Sequence, residues 1–82
     1  MVAGAKELGL SDEDATTLTV QTIVGAAKLL NESGKSATTL RENVTSPNGT
    51  TAAALASFES DHIGDVVAKA MKAARDRSQE LA

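Results

Sequence analysis

The chemistry this chain offers is concentrated in one short stretch, Thr45-Ser46-Pro47-Asn48-Gly49-Thr50-Thr51. Pro47, Asn48 and Gly49 form turns for different reasons: the proline ring presets φ, while Asn and Gly tolerate left-handed backbone that other residues avoid. The stretch runs straight into Ala52, Ala53, Ala54, Leu55 and Ala56, so the turn opens a helix. A helix start leaves its first N–H groups without intrahelical partners and carries partial positive charge, so it can hold a carboxylate or phosphate without any Lys or Arg. The hydroxyls of Ser46, Thr50 and Thr51 donate and accept, and add to such a cradle. On chemistry alone the same residues also make an ordinary turn followed by an N-cap, and both readings stand at this point.

No other cluster competes. His62 is the one imidazole, with no Cys and no acidic pair at ligand spacing, so it reads as a surface or capping residue and no metal site is expected. Asp12, Glu13 and Asp14 fall in a first helical turn, where the macrodipole favours negative charge, and need no acid/base role. Asn31-Glu32-Ser33, Asn43-Val44-Thr45 and Asn48-Gly49-Thr50 each match a glycosylation sequon, and without secretion they read as chance matches.

The elements that would position the turn are legible as helices. Met1 to Leu8 reads as the tail of a helix ending near Gly9. Ser11 caps the next helix and Gly34 closes it, leaving about 21 residues between those signals. At 100° per residue, Ala15, Leu18, Val20, Ile23, Ala26, Ala27, Leu29 and Leu30 cover roughly 200° of its circumference. A helix lying on one core needs a stripe only a little over about 100° wide, so this one should be covered on two sides. Gly25 sits at the edge of the apolar arc, where close approach by another helix would explain a mid-helix glycine, the alternative being a tolerated surface glycine. A short third helix runs from Ala37 to Asn43 behind Ser36 with Leu40 as its anchor, and a fourth follows the turn. The last begins near Asp61 or His62 and continues to Leu81, with Ile63, Val66, Val67, Ala70, Met71, Ala73, Ala74, Ser78 and Leu81 within about 160° of arc. Asp65, Lys69, Lys72, Asp76 and Glu80 take its far side.

Size and composition say how these helices must be stabilised. A chain of 82 residues buries only about 60% of its unfolded surface, so its core is thin. No Cys is present to crosslink it, and the apolar fraction leans on Ala with Phe58 the sole aromatic. That composition suits closely packed helices and not strands, and leaves helix packing or a partner chain as the source of stability. With 11 acidic against 8 basic residues, net charge −3, no nucleic-acid partner is expected. No apolar run approaches the ~20 residues a bilayer requires, and the N-terminus lacks a signal-peptide layout, so we expect a soluble cytoplasmic protein with no membrane partner.

Taken in order, Leu8-Gly9-Leu10-Ser11, then Gln21-Thr22-Ile23-Val24-Gly25-Ala26-Ala27-Lys28-Leu29-Leu30, then Leu40-Arg41-Glu42-Asn43-Val44-Thr45-Ser46-Pro47-Asn48-Gly49-Thr50-Thr51, and finally Arg77-Ser78-Gln79-Glu80-Leu81 resemble the C-terminal domain of pyrroline-5-carboxylate reductases. The resemblance implies an all-α bundle of four to five helices, of the 6-phosphogluconate-dehydrogenase C-terminal-like kind, that interlocks with a second protomer into a homodimer and, in the parent, into larger rings. It implies that residues 1–82 are a single dimerisation and substrate-carboxylate-binding domain, that 1-pyrroline-5-carboxylate is reduced to L-proline in proline biosynthesis, and that NADPH or NADH is bound by an N-terminal dinucleotide-binding domain absent from these residues. Carried over by position, Ser46, Gly49, Thr50 and Thr51 hold the substrate carboxylate, and Thr51 is the catalytic residue facing the imine nitrogen. The family's usual Pro-Gly-Gly is Pro47-Asn48-Gly49 here, a change the left-handed tolerance of Asn accommodates.

No Gly-x-Gly-x-x-Gly occurs, so the 82 residues alone are expected to bind no cofactor and to be catalytically silent. The alternative of a different class is a stand-alone helical module that dimerises through the Gly25 helix and has no catalytic role.

Overall fold

The computed structural model describes all residues, 1–82, and contains only helices: α1 (Val2–Glu7), α2 (Asp12–Ser33), α3 (Ala37–Asn43), α4 (Thr50–Ser60) and α5 (Ile63–Leu81). They follow the expected order, with ends within a residue or two of the cap signals. The chain divides into two compact units, Met1–Glu42 and Asn43–Ala82.

In the first unit α1 packs against α2. Gly9, at φ 107, makes the break between them, a conformation that would strain any residue with a Cβ. Ser11 Oγ accepts a hydrogen bond from the Asp14 N–H at 3.1 Å, and Asp12, Glu13 and Asp14 fill the first turn of α2. Gly34 ends α2 in the left-handed region at φ 71. Ser36 then starts α3, its Oγ accepting from the Thr39 N–H at 3.1 Å and donating to Thr39 Oγ1 at 3.0 Å. Lys6 and Asp12 pair at 3.2 Å with both side chains largely exposed, a geometry that contributes little to stability.

In the second unit α4 contacts α5. The break between them falls at Asp61 and His62, with His62 exposed in left-handed backbone at φ 56 and its N–H donating to Glu59 O at 3.1 Å. His62 is thus the residue before α5, although its imidazole makes no cap bond. The charged side of α5 is tied by Lys72 to Asp76 at 3.1 Å, Arg75 to Asp76 at 2.9 Å and Arg77 to Glu80 at 3.0 Å. No helix is long and apolar enough to cross a membrane.

What these helices do not build is a core. Ala15 is the one buried residue, whereas Leu18 (55%), Ile23 (56%) and Leu30 (47%) on α2, and Val66 (61%) and Met71 (68%) on α5, stay exposed. The chain exposes 6850 Å² of accessible surface. Nothing in the chain lies within 4 Å of a Cβ built at Gly25, so its own packing supplies no reason for a glycine there.

Because α2 anchors the first unit and its N-terminus is held by one side-chain bond, Ser11→Ala should lower stability by about 1 kcal/mol. Urea unfolding followed by circular dichroism at fixed protein concentration checks this, and an unmoved midpoint would show that the cap contributes nothing.

Candidate functional site

The Thr45–Thr51 stretch folds as a turn locked onto the start of α4. The Gly49 N–H donates to Ser46 O at 3.0 Å, closing a four-residue turn with Pro47 second and Asn48 third. Asn48 has φ 60. Proline at the second position and a left-handed residue at the third define a type II turn, so Asn48 does here what glycine does most readily.

Gly49 is needed for a different reason. Its backbone is extended (φ −86, ψ −177), but a Cβ added there would meet Ser46 O at 3.2 Å and Ser46 Cβ at 3.4 Å. A side chain at residue 49 would therefore press on Ser46, which would have to give by a few tenths of an ångström. As the N-cap of α4, Gly49 has no side chain to accept from the first-turn amides, and its carbonyl takes the first helical bond, from the Ala53 N–H at 3.1 Å. The N–H groups of Thr50, Thr51 and Ala52 point along the same helix end with no intrahelical acceptor.

Beside these amides lies a hollow of about 160 Å³ lined by Val44, Ser46, Gly49, Thr50 and Thr51. Its volume is that of about five waters, enough for a carboxylate and part of the group that carries it. Gly49 and Thr51 are half-buried, while Ser46 and Thr50 are exposed. All four residues singled out from the sequence line one hollow. Val44 was not among them, and an apolar residue two positions before the turn carries no chemical signal of its own.

The hollow contains no titratable side chain. Its positive potential comes only from backbone N–H groups and the helix end, which suits a singly charged anion and gives no residue there the means to act as a strong acid or base. Two wider surface hollows, of about 500 Å³ beside Lys6 and Asp12 and about 380 Å³ beside Gly25 and Lys28, are larger. Size does not decide the matter: beside the first, Lys6 is already paired with Asp12, and the second lies along the open surface of α2 between Gly25 and Ser33, where no helix start supplies amide donors. No three His, Cys, Asp or Glu side chains converge anywhere.

The left-handed backbone at residue 48 makes the turn sensitive to side-chain shape. Asn48→Val should cost about 1–2 kcal/mol, whereas Asn48→Gly should change stability by only a few tenths. Thermal melts of the two variants at matched concentration compare them, and equal melting points would mean the turn is not held as described.

Comparison with known proteins agrees with this architecture. Residues 1–81 match the family described as pyrroline-5-carboxylate reductase dimerisation. The chain is 46% identical over 82 residues to a pyrroline-5-carboxylate reductase of Pseudomonas aeruginosa, covering all of this chain and 30% of that enzyme. It is 45% identical over 76 residues to the Haemophilus influenzae enzyme, covering 92% of this chain and 28% of the other. The crystal structure of the Plasmodium falciparum pyrroline carboxylate reductase with NADP bound superposes with a TM-score of 0.90 at 32% identity, over 94% of this chain and 31% of that one. The chain thus spans under a third of the length of the relatives it matches. With a match that runs through all five helices and the turn before α4, the chain belongs to the pyrroline-5-carboxylate reductase dimerisation family.

Proposed function

We propose that two copies of this chain associate through their apolar faces, and that in the parent enzyme the hollow beside Gly49 holds the carboxylate of 1-pyrroline-5-carboxylate during reduction to L-proline. The hollow carries this reading. Its donors are all uncharged, and they sit on one helix end next to three hydroxyls, an arrangement that binds a carboxylate while leaving the rest of the ligand free to face another domain.

In this reading the amides and hydroxyls of Ser46, Gly49, Thr50 and Thr51 bind the carboxylate. To the half-buried Thr51 hydroxyl we assign the hydrogen bond to the imine nitrogen, which must gain a proton as the imine is reduced. A threonine hydroxyl both donates and accepts, so it can pass on a proton only if one reaches it from water or another group.

The five helices offer no strand and no glycine-rich strand-to-helix turn, so these residues do not fit a dinucleotide. NADPH or NADH would be held by a dinucleotide-binding domain elsewhere in the parent, in keeping with the NADP in the Plasmodium relative. A cytoplasmic homo-oligomer, with dimers able to join into rings and no nucleic-acid or membrane partner, completes the proposal.

Exposed surface supports the association. Leu18, Ile23 and Leu30 in the first unit and Val66 and Met71 in the second stay about half or more exposed, apolar surface of the kind that permanent interfaces bury. Gly25, open to its own chain, fits close approach by a helix of the second copy.

Light scattering on a sizing column should give twice the 8.4 kDa chain mass, and Ile23→Asp should reduce it to a single chain by placing a charge in the interface. A stable helical monomer of the unsubstituted chain would defeat the association. In the parent enzyme, Thr51→Val should lower kcat/KM roughly ten- to a hundredfold with the oligomeric mass unchanged; kinetics equal to the unsubstituted enzyme would remove Thr51 from the reaction.

A further inference from the structure

The turn that shapes the hollow also contains a reactive pair that carboxylate binding does not use. Asn48 is followed by Gly49, and it is the only one of the three asparagines with a glycine after it: Asn31 precedes Glu32 and Asn43 precedes Val44. A backbone nitrogen can attack the side-chain carbonyl of the asparagine before it, forming a five-membered succinimide and expelling ammonia. Water then opens that ring at either carbonyl, leaving aspartate or isoaspartate. No oxidant or other reactant is needed. Glycine hinders the attack least because it has no Cβ, whereas the branched side chain of Val44 crowds it.

We propose that Asn48 is a site of spontaneous deamidation whose rate is governed by opening of the Ser46–Gly49 turn, and whose products disable the hollow as an anion site. Asn48 is exposed at the turn, so water and base reach its amide. Its attacking partner, the Gly49 nitrogen, is tied to Ser46 O at 3.0 Å and held in the closed turn. Attack requires the Gly49 N–H to give up that bond and its nitrogen to swing toward the Asn48 side-chain carbonyl, so the closed turn protects the pair and the open turn exposes it.

Both products work against anion binding. Either one brings a carboxylate to the residue directly before the N-cap of α4, where the helix end attracts it toward the Thr50 and Thr51 amides. No Lys or Arg lines the hollow to offset the added charge. Isoaspartate also adds a methylene to the main chain between Asn48 and Gly49, which misaligns the close Gly49 to Ser46 contact. The effect on binding rests on the carboxylate reading proposed above, while the covalent change does not.

The test incubates the whole chain in mildly alkaline buffer and follows residue 48 by peptide mapping and by enzymatic methylation of isoaspartate. Trypsin releases residues 42–69 as one peptide, which carries Asn43 as an internal control. Conversion is expected at residue 48 alone, faster as pH rises, absent in Asn48→Gly, and about tenfold slower than in a synthetic peptide of residues 44–51, the ratio one net hydrogen bond supplies. No gain of acid at residue 48, equal gain at Asn43, or a rate equal to the free peptide's overturns the proposal. In the parent enzyme, L-proline in excess separates the two readings: slower conversion supports a ligand closing the turn, whereas conversion at an unchanged rate counts against the carboxylate reading and leaves the modification standing.

Discussion

Everything in this domain depends on apolar helix faces that the chain itself leaves uncovered. Burial of a Leu or Ile side chain is worth about 1.5–3 kcal/mol, and Leu18, Ile23, Leu29 and Leu30 on α2 each realise only about half of that within one chain. With Ala15 as the only buried residue, a single copy has little with which to offset the entropy of ordering 82 residues. The caps and αL glycines fix where helices start and stop, and caps and surface ion pairs are each worth only about a kilocalorie. They specify the helices without supplying a core, and the association proposed above would cover α2 and α5.

The hollow before α4 answers to a different constraint, the geometry of one turn. Pro47 presets its entry, Asn48 adopts the left-handed conformation, and Gly49 lies close enough to Ser46 that a side chain there would press on it. That absence of a side chain also leaves α4 uncapped from within, so its first amides remain available to a ligand. Turn shape and the uncapped helix start thus come from the same residue. The donors are neutral and fixed to backbone, so their direction is set by the helix and does not rely on long side chains adopting one rotamer.

Asn48 ties the two themes together. It supports the turn as glycine does, but it brings a side-chain amide next to a glycine nitrogen, and the hydrogen bond that closes the turn also restrains that nitrogen. Rigidity here serves both the shape of the hollow and the chemical persistence of the chain.

Much of this was legible in the residues. Ser11, Gly34 and Ser36 mark helix ends through local hydrogen bonding and backbone preference, properties that act over three or four residues and need no knowledge of the fold. The wide apolar arc of α2 likewise announces a helix with more than one neighbour, and Thr45 to Thr51 announces a turn opening a helix. The family resemblance added roles for Ser46, Gly49, Thr50 and Thr51 that spacing alone left equal to an ordinary cap. Tertiary structure alone decided three things: that Val44 joins the hollow, that a Cβ at Gly49 would press on Ser46, and that beyond the backbone of α2 nothing stands against Gly25. Each is a matter of distances between backbone segments in space, which hydropathy and turn propensity do not encode, because they describe what a residue prefers and not what stands beside it.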